Sequence, residues 1–201
     1  MTVRLNEERL EVNENQTFEE LVEEVKENCY QNGKVLVQIK LNGQPLSQDE
    51  LDNLASQPIG DKEVQLISET PQSLTSQLVL QALNYLDELS EWLSEIENLR
   101  EASEEDARKF TEGLKWLTIA IEQLRSAEWS PLMVGGRSLE KFNQDARMTV
   151  AEIDAALDKP QENQELLQSF TSGELQTQVA GYRAVFTELR DKMGGNYLER
   201  N

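Results

Sequence analysis

The chain has 201 residues, 38% of them hydrophobic, and a formal net charge of −19 from 38 acidic and 19 basic side chains. Such a length can bury one sizeable core or two modest ones, and the charge argues against nucleic acid or anionic lipid as a partner. Histidine is absent and Cys29 is the single cysteine, which removes the usual proton-transfer side chain near neutral pH and the common imidazole and thiolate metal sites.

The acids are spread along the chain, 15 against 6 bases in residues 1–69 and 23 against 13 in residues 70–201. A basic protein partner fits that field, and a purely solubilising surface accounts for it too. The N-terminal sequence shows no basic-then-apolar signal pattern, and no window approaches the ~20 apolar residues that span a bilayer. One cysteine cannot form an internal disulfide. The expectation is a cytoplasmic protein without membrane attachment.

From Thr2 to Val12, apolar Val3, Leu5, Leu10 and Val12 alternate with charged residues around a polar centre at Asn6-Glu7-Glu8-Arg9, which predicts a hairpin. Thr17 followed by Glu20 is a capping box opening a helix. Its buried stripe would be Phe18, Leu21, Val22, Val25 and Cys29, with glutamates on the wet side. Cys29 reads as a small core hydrophobe rather than a reactive thiol. After Asn32-Gly33, Val35, Val37, Ile39 and Leu41 alternate onto one face of a strand, and Asn42-Gly43 supplies a tight turn into Gln44-Pro45-Leu46. Ser47 and Glu50 form a second capping box before a short helix, and Glu63 to Ser68 is a closing strand carrying Val64 and Leu66.

The segments VRLNEERLEVNENQTFEELVEEV, VQIKLNGQPL and EVQLIS together resemble the β-grasp pattern of ubiquitin and the small sulfur-carrier proteins. The resemblance covers residues 1–69 and implies a hairpin, a threonine-capped helix, an Asn-Gly turn and a closing strand. Members with activated tails expose a C-terminal Gly-Gly, whereas here the closing strand runs through Glu69-Thr70-Pro71 into a helix. The resemblance therefore implies a docking module.

The remaining residues, 70–201, predict an antiparallel bundle of about four helices. Pro71 suits a first turn, and Leu78, Ala82, Leu86, Leu89, Leu93 and Ile96 form a seam on a helix reaching about Ala102. Ser103, followed by three acids, caps the second helix. Ala107, Phe110, Leu114, Leu117, Ile121 and Leu124 repeat there at strict coiled-coil spacing, ending near Trp129-Ser130-Pro131. A Gly135-Gly136 loop precedes a third helix marked by Leu139, Phe142, Ala146, Val150, Ile153 and Leu157. The last stretch starts with Leu166, Leu167 and Phe170, breaks at Thr171-Ser172-Gly173, and continues through Leu175, Val179, Tyr182, Phe186, Leu189 and Met193. Gly194-Gly195 is the expected helix stop.

Apolar residues off these seams are the candidates for contact. Trp116 and Ile119 fall on the far side of the second helix, in one row with Glu112 and Gln123, and form the expected partner-binding set. Leu80 and Leu83 stand off the seam of the first helix and would meet the N-terminal domain. Val134-Gly135-Gly136-Arg137-Ser138 could cradle an anion at a helix start, although such loops are common. Nucleotide fingerprints, nucleophile elbows and EF-hand loops do not occur, and no catalytic, cofactor or metal residue is assigned.

The sequence thus predicts an α+β chain, a β-grasp domain at 1–69 and a helical bundle at 70–201. Its expected role is non-enzymatic: an acidic adaptor that binds a protein through its helical surface, with a homodimer as one form of that contact. An export or secretion chaperone for an amphipathic client, and an enzyme using carboxylates with a divalent ion, are the alternative readings.

Overall fold

The computed structural model describes residues 2–13, 15–125, 133–134 and 136–198. The chain divides into two compact units, residues 1–74 and 75–201.

Turn chemistry lays out the first unit. Strands β1 (Thr2–Leu5) and β2 (Glu8–Leu10) pair antiparallel with Leu5 opposite Glu8, so the turn is only Asn6-Glu7, tighter than the four-residue polar centre in the sequence. Asn6 makes this possible by taking a φ of 54°, a left-handed conformation that asparagine tolerates better than most residues. Its side chain accepts from the Ser68 N–H at 2.9 Å and donates to Ser68 Oγ at 3.2 Å, which ties the turn to the closing strand. Helix α1 (Phe18–Gln31) opens with the expected capping box of Thr17 and Glu20, and α2 (Gln48–Leu54) with that of Ser47 and Glu50. The Ser47 hydrogen bonds hold the Glu50 carboxyl below its ordinary pKa, its backbone N–H contributing most.

Strands β3 (Val35–Leu41), β4 (Gln44–Pro45) and β5 (Glu63–Glu69) complete a sheet of order β2-β1-β5-β3-β4, with β1 and β5 parallel at its centre. Helix α1 buries Phe18, Leu21, Val22, Val25 and Cys29 in a core shared with Val3, Ile39, Val64 and Leu66. Ile59 completes it from the segment after α2, where Pro58 bridges to the helix cap at Thr17. One helix packed on a mixed sheet in this order is a β-grasp-like arrangement.

The expected face of β3 is corrected. Val35 and Val37 are exposed, at 41% and 42%, while Leu36 and Ile39 turn to the core. A bulge lies between Leu36 and Gln38, where the pairing with β5 skips Val37. One extra residue reverses the alternation on its N-terminal side.

The second unit is built on four long helices, α3 (Pro71–Ser94), α4 (Glu104–Arg125), α5 (Leu139–Asp158) and α7 (Ser172–Leu198), with a short α6 (Gln164–Ser169). A hairpin of two two-residue strands, β6 (Met133–Val134) and β7 (Arg137–Ser138), replaces the loop that the sequence predicts there. The neighbouring helices run antiparallel. Tyr85 and Trp92 of α3 meet Trp116 and Phe110 of α4 in reversed order. Arg108 donates to the Leu157 carbonyl at 2.9 Å, Lys115 pairs with Asp154 and Glu122 with Arg147, aligning α4 with α5. Ser76 donates to Met193 Sδ and Arg183 pairs with Asp87, aligning α3 with α7. All six heptad residues of α4 are buried, together with Thr111, Thr118 and Ala120. The buried face is therefore wider than a two-helix seam, as a bundle requires.

Two helix boundaries depart from the sequence reading. Helix α3 stops at Ser94 instead of near Ala102, because residues 97–99 are recruited by the chain around Phe170. The Leu99 N–H donates to the Phe170 carbonyl at 3.2 Å, the Ser172 N–H to the Glu97 carbonyl at 2.8 Å, and Asn98 bridges Thr171. At the other end of the chain, α7 runs through Gly194-Gly195 to Leu198. Glycine costs a helix about 1 kcal/mol, which weakens a helix without obliging it to end. The expected end of the second helix near Trp129 lies outside the described residues.

Candidate functional site

The heptad of α4 points inward, and its opposite side leaves a row of Glu112, Trp116, Ile119 and Gln123. Glu112 and Gln123 are exposed, and Ile119 is 48% exposed. Trp116 differs from its neighbours. It is half-buried against the helical core, and its ring meets Tyr85 edge-on, with centroids 6.0 Å apart and planes at 86°. The indole is thus partly a structural wedge between α3 and α4, and Ile119 is the apolar side chain of the row that the fold leaves most open.

Tyr85 was not singled out from the sequence. It shares the stripe Leu78, Tyr85, Trp92, spaced by seven residues, and all three are partly buried against the bundle core. The spacing could have revealed it, as could Gly113, an isolated glycine within a regular heptad. A Cβ at Gly113 would fall 1.5 Å from the Tyr85 oxygen. The glycine therefore gives the phenol room to cross α4, where its hydroxyl donates to the Lys109 carbonyl at 3.3 Å.

Two carboxylates act on this aromatic pair. Burial pushes the Tyr85 hydroxyl up to about 12, and the negative charges of Glu88 on α3 and Glu112 on α4 push in the same direction. Both glutamates are exposed. The row becomes a patch shared by two helices: Tyr85, Trp116 and Ile119 supply apolar surface, and Glu88 and Glu112 supply the charge beside it. Around it, Lys115 is paired with Asp154, Glu122 with Arg147, and Lys109 with Glu105 at 2.7 Å.

The other off-seam pair separates. Leu83 is buried in the core of the helical unit, which corrects its assignment to the N-terminal domain, whereas Leu80 is 53% exposed. The proposed anion cradle is already engaged internally: Arg137 pairs with Asp145 at 3.2 Å, and Ser138 Oγ accepts from the Lys141 N–H as the cap of α5. Lys141 and Arg137 hold the Asp145 carboxyl below its ordinary pKa, the Lys141 hydrogen bond contributing most. Gly135 lies outside the described residues. Cys29 is buried in the first core, as its position in the helix stripe predicted. Among the described residues no group of three or more carboxylates and cysteines is placed to hold a metal ion. No described helix is long and apolar enough to cross a membrane.

The fold and patch define an α+β chain in which a β-grasp-like unit precedes a helical bundle. The family described as TP0873 N-terminal domain matches residues 1–65, a similarity confined to the first unit. No curated protein and no solved structure matches the chain.

Proposed function

We propose that this chain is a non-enzymatic adaptor that binds a basic, amphipathic protein surface through the α3–α4 patch of its helical unit. The supporting observation is the retention of Ile119 at 48% exposure beside the Tyr85–Trp116 pair, on a helix whose heptad residues are all taken up by the core. An apolar centre with a charged rim is the usual anatomy of a protein contact. Glu88 and Glu112 would favour lysine or arginine at the partner's edge, and the net charge of −19 would steer such a partner from a distance.

The test is quantitative co-purification from the native cell with the full chain and with Ile119→Arg. Ile119 is a better target than Trp116, because replacing the half-buried indole also disturbs the helix contact. Thermal melts should coincide. At least one protein retained by the wild type, or self-association measured by sedimentation, should fall about tenfold in the variant and weaken with added salt. Identical profiles for all partners and for self-association would defeat the reading.

A further inference from the structure

The first unit holds a second candidate surface, a groove with an aliphatic floor and a polar rim, and its origin lies in two short-range features of the sequence. Strand β4 pairs with β3 only at Lys40 and Leu41, after which the Leu46 N–H donates to the Ile39 carbonyl at 2.9 Å. Pro45 has no N–H to extend the ladder, and the Ser47 capping box turns the chain into α2 immediately afterwards. Among the described residues, positions 35–38 of β3 therefore have β5 on one side and no strand on the other. The bulge at Val37 turns Leu36 toward the space left between α1, β3 and α2.

That space is a groove of about 470 Å³. Its apolar lining includes Val22 from α1, Leu36 and Ile39 from β3, and Leu46 and Leu51 from the β4–α2 segment. Its charged lining is Glu19, Glu23 and Asp52 against the single base Lys26, which lies 3.9 Å from Glu23. All four charged side chains are exposed. An aliphatic floor beside an uncovered strand edge suits an extended peptide. An acidic rim whose one lysine is already neighboured by a carboxylate selects for basic residues on it.

We infer that the α1–β3–α2 groove binds an extended peptide segment in which aliphatic side chains alternate with lysine or arginine. The aliphatic side chains lie on Leu36, Ile39 and Leu51, and the basic ones face Glu19, Glu23 and Asp52. This site is in the sheet unit and is independent of the α3–α4 patch.

Titration of the isotope-labelled full chain with two synthetic hexapeptides, alternating valine–lysine and alternating valine–glutamate, tests it by amide chemical shifts. The lysine peptide should bind saturably, with the largest shifts at residues 35–39 and 46–52, and at least tenfold more tightly than the glutamate peptide. The double variant Glu23→Lys, Asp52→Lys should weaken it tenfold or more, while Ile119→Arg leaves it unchanged. Both substituted acids are exposed, and amide dispersion matching the wild type verifies the fold; should the double variant fail that check, Glu23→Gln alone should still weaken binding severalfold. Absence of saturable binding, equal binding of the two peptides, or shifts centred elsewhere would overturn the inference.

Discussion

The two units are specified by different kinds of information. In the sheet unit, capping boxes at Thr17 and Ser47, the positive φ of Asn6 and Asn42, and Pro45 set where each element begins and ends. These are contacts over a few residues. In the helical unit, the heptads fix which faces are buried, but helix ends are decided by distant partners. Leu99, which the local pattern places on the first long helix, is withdrawn into a bridge with the Phe170 segment and buried at 1% exposure. Local signals suffice where elements are short and turns are tight. Long amphipathic helices carry redundant local signals, so tertiary pairing chooses among several acceptable ends.

The sharpest way to break this contrast is Leu99→Ala. If the 95–103 connection is part of the bundle core, the truncation should cost about 2–5 kcal/mol in urea denaturation, the range for truncating a buried leucine. A loss below about 0.5 kcal/mol would return the segment to the status of an ordinary surface connection.

Gly113→Ala probes the close approach of Tyr85 to α4. Alanine improves helix propensity by about 1 kcal/mol, but its methyl group would collide with the phenol, and overpacking of this kind costs about 1–3 kcal/mol. A net destabilisation is expected, relieved in the double variant Tyr85→Leu, Gly113→Ala. If alanine at 113 raises the melting temperature, Tyr85 does not depend on the glycine.

Tyr182→Phe tests a polar cost inside the bundle. The Tyr182 hydroxyl is buried with no hydrogen-bond partner among the described residues, and its ring packs edge-on to Phe142 at 5.0 Å. Removing the hydroxyl should stabilise the protein by about 1 kcal/mol near pH 7. Burial raises the pKa of Tyr182 above its ordinary value, so its protonated form contributes stability below about pH 10 that is lost as pH rises beyond that value. The variant should therefore also lose stability less steeply above pH 10 in chemical denaturation. A destabilised variant with an unchanged alkaline limb would count against both expectations.

The smallest effect belongs to the sheet unit. Val37→Lys should change stability by no more than about 0.5 kcal/mol, because the bulge holds Val37 at the surface. A loss of 2 kcal/mol or more in denaturant titration would restore the simple alternation that places Val37 beside Ile39.

Much of the candidate patch was legible, and its limits have a physical reason. Helical periodicity located Glu112, Trp116, Ile119 and Gln123 on the side away from the heptad. It could not show that Trp116 would lean onto Tyr85, since the angular position of a residue does not state how far a neighbouring helix extends around it. Glu88 entered the patch only because α3 and α4 pack with Tyr85 between them.

Periodicity and capping chemistry determined by themselves that short strands around a threonine-capped helix precede long amphipathic helices, because a residue's neighbours at spacings of two, three and four are fixed by backbone geometry. Tertiary structure alone decided the bulge at Val37, the early end of α3, the burial of Leu83 and the passage of α7 through two glycines. Each turns on a balance of about 1 kcal/mol in local preference, which a few long-range hydrogen bonds or one buried leucine suffices to reverse.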